Sequence, residues 1–109
     1  MAYNLDLDYR VKRLTREWGV SSKKMFGGIG YFAGNGNMCF GIMGAGLLLR
    51  VNETLAAELL QRPGIETAQM GQRVMKSWLL ATGDAIKNEA AVSELLVLSY
   101  DFVLTLPAK

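Results

Sequence analysis

Residues 23–51, KKMFGGIGYFAGNGNMCFGIMGAGLLLRV, decide the fold class. Glycine breaks this stretch into apolar runs too short for helices and alternating in the manner of strands. One strand is expected over 29–33. Gly34-Asn35-Gly36-Asn37 then supplies the residue types a tight hairpin turn demands. Over 38–43, Met38, Phe40 and Ile42 fall on one face and Cys39, Gly41 and Met43 on the other. Gly44-Ala45-Gly46 turns the chain again, after which Leu47, Leu49 and Val51 alternate with Leu48 and Arg50. Connections this short join antiparallel neighbours.

On the N-terminal side, Leu7, Val11, Leu14 and Trp18 recur at helical spacing, which predicts a helix over 5–18. Asn4 is its expected N-cap and Gly19 its stop. On the C-terminal side, Asn52 caps a second helix over 53–62, ended by Pro63-Gly64. A weak strand over 65–70 turns at Gly71-Gln72 into a stronger one over 73–80. Val92, Leu95, Leu96, Ser99, Phe102, Val103 and Leu106 keep the 3.6-residue period of a last helix over 88–105. The expectation is a single α+β domain over 1–109. Its helices pack in one layer on an antiparallel five-stranded sheet, in the order α-β-β-β-α-β-β-α.

Composition is that of an ordinary globular domain. Of 109 residues, 50% are hydrophobic and 20% charged, which excludes a disordered or low-complexity chain. The net charge of +2 is too weak to imply nucleic acid by itself. The first 24 residues nevertheless hold half of the 12 Lys+Arg. A single cysteine, Cys39, cannot form an internal disulfide and suits a reducing cytoplasm. No stretch approaches the ~20 apolar residues of a membrane span, and MAYNLDLDYR does not read as a signal peptide. The expected location is the cytoplasm, with no membrane association.

Lys24-Met25-Phe26-Gly27-Gly28 opens a segment that resembles the N-terminal domain of the TfoX/Sxy family. Further matches follow in order: Gly36, Gly46-Leu47-Leu48-Leu49-Arg50-Val51, Arg62-Pro63-Gly64, and Gly71-Gln72-Arg73-Val74-Met75 with Trp78. The closing Thr105-Leu106-Pro107-Ala108-Lys109 is similar to the tail of short, stand-alone members. The resemblance implies a two-layer α+β fold. It also implies a bacterial regulatory role, since the best-known members promote natural competence as co-regulators with the cyclic-AMP receptor protein. Those members carry a second, helical C-terminal domain, so the competence role itself is an open expectation here. A transcription factor is the kind of protein partner implied.

The residues themselves argue against catalysis. The chain has no histidine, the commonest general base, and with one cysteine it cannot build the usual zinc sites. No cofactor is expected. Cys39 reads as a buried, inert thiol. Asp6/Asp8 and Glu53/Glu58 sit where helix-start or solvated residues belong, and the glycines do not complete a nucleotide-binding fingerprint.

Three surfaces carry alternatives. Arg10, Arg13 and Arg16, with Lys23 and Lys24, form either a solvated basic face or a phosphate-contacting one that binds nucleic acid. On the last helix, Val97, Tyr100 and Leu104 form a second apolar stripe. That stripe is either covered within the chain or serves as a homodimer interface. Arg50 and Arg73, with Lys76, interrupt apolar strands and face either solvent or a ligand on the open side of the sheet.

Overall fold

The structure, a computed structural model, describes residues 3–25, 27–70 and 72–109, leaving aside the side chains of Met70 and Lys76. It is α+β, as the element pattern predicts. Helix α1 (Leu5–Leu14) leads into strands β1 (Ser21–Met25), β2 (Gly28–Phe32), β3 (Met38–Met43) and β4 (Gly46–Arg50). Helix α2 (Glu53–Leu59), strands β5 (Ile65–Met70) and β6 (Arg73–Ala81), a 3-10 turn (Gly83–Ile86) and helix α3 (Glu89–Val103) complete the order. Asn4, Asn52 and Asn88 cap the three helices, each side chain accepting from a backbone N–H three residues on.

The sheet has six strands rather than five, all neighbours antiparallel, in the order β1-β2-β3-β4-β6-β5. The unexpected strand is β1. Its SSKK sequence is exposed on both faces, so it carries no alternating pattern to read. As the edge of the sheet it presents Lys23 and Lys24, which discourage pairing with another chain. The first helix also ends earlier than its apolar period suggests. Thr15 returns its hydroxyl to the Val11 carbonyl, and the chain coils through 15–19 before Gly19 at φ 74° releases it into β1.

One face of the sheet is the core. Ile29, Ile42, Leu47, Ala81 and Ile65 pair in register across five strands, and Tyr31, Phe40, Leu49 and Leu79 form the next row. All are buried, together with Leu7 and Val11 of α1, Ala56 and Leu59 of α2, and Val92, Leu95, Leu96 and Val103 of α3. The helices therefore share one layer. Two bulges break the register. One puts the extra residue Cys39 opposite the Tyr31/Phe32 step, and the other bends the β5–β6 hairpin after Thr67.

The first bulge corrects the expected facing of β3. Phe40 and Ile42 point into the core, but Met38 switches to the other face and joins Gly41 there.

Two polar side chains pin helices to the sheet. Ser99 of α3 is fully buried. Its hydroxyl accepts from the Arg50 backbone N–H at 3.2 Å and faces the Arg50 carbonyl at 2.8 Å and the Cys39 carbonyl. These groups lie just past the Phe40/Leu49 pair that ends the β3–β4 ladder, so a helix hydroxyl completes the accounting of a sheet. On α1, buried Asp8 accepts from the Tyr31 hydroxyl and from Lys12 Nζ at 2.6 Å. Among the described residues no helix is long and apolar enough to cross a membrane.

Candidate binding cleft on the open face of the sheet

The face turned away from the helices begins with glycine. Gly30 and Gly41 are cross-strand partners, and their missing side chains leave a shallow floor. Methionine fills it. A Cβ on Gly30 would stand 2.8 Å from Met25 Sδ and 3.0 Å from Met38 Cε, so both thioethers lie across the floor. Leu48, beside Gly41 on β4, is buried under them.

Beyond Leu48 the face opens into a cleft of about 770 Å³. Its apolar walls include Met25, Met38, Phe32, Trp78 and Met75. The second bulge redirects the end of β6, which brings Arg73, Val74 and Met75 to the same cleft as Arg50. Lys109 reaches it from the other side. The tail after α3 is tied to the β2–β3 turn: Asn35 donates to the carbonyls of Val103 and Leu106, Asn37 donates to that of Pro107, and Lys109 N donates to Asn35 O at 2.9 Å.

Arg50 is the central polar group. It is half-buried, and its guanidinium lies over the ring of Trp78, its direct partner across β4 and β6, at 5.7 Å. Its Nε is buried and has no hydrogen-bond partner among the described residues. Arg50, Arg73 and Lys109 are the charged side chains that line the cleft among the described residues, and no Asp or Glu side chain joins them. The arrangement is a polarisable apolar trough with a cationic rim.

The other sequence candidates end up elsewhere. Arg10 pairs with Asp6 at 3.1 Å and Arg13 with Glu89 of α3, so two of the three helix arginines are engaged within the chain. Glu89 is held below the usual carboxylate range by its hydrogen bond from Arg13. Arg16 is exposed, and Lys23 and Lys24 lie on opposite faces of the β1 edge. Lys23 and Lys24 therefore do not share one face of the sheet. The stripe on α3 divides. Tyr100 stacks on Trp18 with centroids 4.8 Å apart and donates to the Trp18 carbonyl at 2.9 Å, so it is an internal contact. Val97 and Leu104 are exposed, 39% and 49%.

The MFGG motif is structural where it is described. Gly27 sits at φ 75° in the β1–β2 turn, and a Cβ on Gly28 would fall 2.1 Å from the Ile42 carbonyl oxygen. Phe26 lies outside the described residues. Met25, Arg50 and Trp78 of the quoted family positions meet in the cleft. Sequence reasoning reached Arg50 and Arg73 as a ligand-facing alternative but missed Met38, Met75 and Lys109. The two bulges and the tail tie that place these three leave no periodic trace in the sequence.

Cys39 is fully buried, and burial pushes its thiol up to about 11. Its Sγ contacts the Tyr31 carbonyl at 3.3 Å. Among the described residues no group of three potential ligands could hold a metal ion.

Neither the curated proteins nor the solved structures contain a match to this chain. The description TfoX N-terminal domain matches over residues 13–103, which takes in the whole sheet and α3. The chain belongs to the TfoX N-terminal domain family.

Proposed function

We propose that the chain is a non-catalytic regulatory module that works by binding in the cleft of its open sheet face. The observation that carries this reading is the cleft itself, an apolar trough whose charged side chains among the described residues are Arg50, Arg73 and Lys109. Concave apolar sites with a few convergent polar groups are where proteins take ligands. The chemistry around it supports binding over catalysis: the chain has no histidine, and its one thiol is buried and kept protonated. Family membership supports a regulatory setting of the competence co-regulator type, in the bacterial cytoplasm, with a transcription factor as the protein partner. The basic face of α1 is the weaker surface, because Arg10 and Arg13 are already paired.

The test is a host strain in which the gene is deleted and then restored by variants. Trp78→Ala, confirmed folded by circular dichroism, is expected to reproduce the transcript changes of the deletion. The triple charge reversal of Arg10, Arg13 and Arg16 to glutamate is expected to restore wild-type transcripts. Wild-type transcripts with Trp78→Ala would remove the cleft from the function. Loss of regulation with the triple variant alone would move it to the nucleic-acid reading.

Self-association through α3 has narrower support, from Val97 and Leu104 without Tyr100. A dimer held there would become monomeric on Leu104→Glu in analytical ultracentrifugation. A monomeric wild type removes that reading.

A further inference from the structure

We infer that the cleft takes a small amphipathic organic carboxylate, with its carboxylate on Arg50 and its apolar body over Trp78 and the methionines. The inference rests on the binding-module reading and names its ligand.

Three observations point to the head group. The charged side chains that line the cleft among the described residues are all cationic, so they attract an anion. The Arg50 Nε is buried, and no group among the described residues offsets the desolvation of this donor. A guanidinium presents its donors in a planar fork that fits a carboxylate with two parallel hydrogen bonds. The guanidinium already lies over the Trp78 ring, and Ser99 anchors the Arg50 backbone from the helix side, before any ligand arrives. Pre-ordering of this kind removes a cost that binding otherwise bears.

The body of the ligand follows from the walls. Met25 and Met38 cover a glycine floor, and Met75 stands on the redirected end of β6. Thioether chains are unbranched and polarisable, so they mould to flat or flexible apolar groups of differing shape. The volume of about 770 Å³ suits a drug-sized molecule better than a bare ion. Arg73 and Lys109 at the rim add long-range attraction that salt screens.

The experiment is a titration of the wild-type chain with 2-naphthoate, indole-3-acetate and decanoate, followed by NMR of the two tryptophan indole N–H signals. Substitution Trp78→Phe assigns them. Binding with a Kd on the order of 0.1 mM is expected for at least one carboxylate, given the size of these probes. The Trp78 signal should move while that of Trp18, on the helix side, stays. The matching neutral alcohol should bind at least about tenfold more weakly, and Arg50→Met should lower carboxylate affinity by a similar factor. Gly30→Ala, which pushes Met25 and Met38 off the floor and leaves Arg50 in place, should also weaken binding.

The inference is overturned if no carboxylate of the panel binds below 1 mM. It is equally overturned if alcohol and carboxylate bind alike, or if the Trp18 signal moves instead. Should these probes fail while Trp78→Ala still reproduces the deletion in cells, the ligand class falls and the cleft reading stands. If both fail, both fall.

Discussion

Ser99 shows how one hydroxyl can join two layers. It lies in the apolar stripe of α3 at full burial and faces three backbone groups left by the end of the β3–β4 ladder. Removing it strands the Arg50 N–H and the carbonyl that its single proton serves, a cost of about 2 kcal/mol. Ser99→Ala is therefore expected to lower the urea midpoint clearly, with an unchanged denaturant slope. A midpoint within error of wild type would show that water or a shifted helix replaces the hydroxyl. The residue also bears on function, because the backbone it grips belongs to Arg50. In the sequence Ser99 is legible as a core position and not as a sheet partner. Its partners sit 49 and 60 residues away, at a bulge that periodicity does not reveal.

At the scale of elements, the alternating runs and the asparagine caps were readable because local chemistry alone specifies them. Strand β5 falls on its expected bounds, and Asn4 and Asn52 cap their helices as expected. Strand β1 was not readable, since an edge strand with both faces wet has no pattern to show. The motif that opens the family resemblance is explained by the same hairpin. Gly28 must let its strand approach the Ile42 carbonyl, where a Cβ would be 2.1 Å away. Gly28→Ala therefore forces β2 and β3 apart, for an expected loss of at least ~2 kcal/mol. Gly30→Ala meets only flexible methionine ends and is expected to cost less. Thermal unfolding of the two variants side by side checks the order. A Gly30 variant as damaged as the Gly28 one would mean the floor of the cleft is rigid.

For the whole molecule, the titratable groups predict a lopsided response to pH. No histidine is present, so no side chain with an ordinary neutral-range pKa titrates between about pH 6 and 8. Stability should be flat there. On the acid side, Glu89 and Glu94 are held low by hydrogen bonds from Arg13 and Arg62. Their contribution is present above the unfolded pKa and disappears as pH falls through the folded one. Both pairs are exposed, so the loss is small and shrinks further in salt. The alkaline side is different. Burial raises Cys39 to about 11 and carries Tyr31 far above its usual range, helped by its hydrogen bond to Asp8. Both groups stay protonated in the fold after the unfolded chain has ionised. Their stabilisation is complete below the unfolded values, roughly 8.5 for the thiol and 10 for the phenol. It is then lost as pH climbs toward the folded ones. Urea midpoints measured from pH 4 to 11 should hold level from 6 to 8 and fall progressively above about 8.5. Cys39→Ala should flatten the first part of that fall and leave the part above pH 10, which belongs to Tyr31. A wild-type midpoint that stays level to pH 10 would mean that the thiol ionises in place and that water reaches the bulge between β2 and β3.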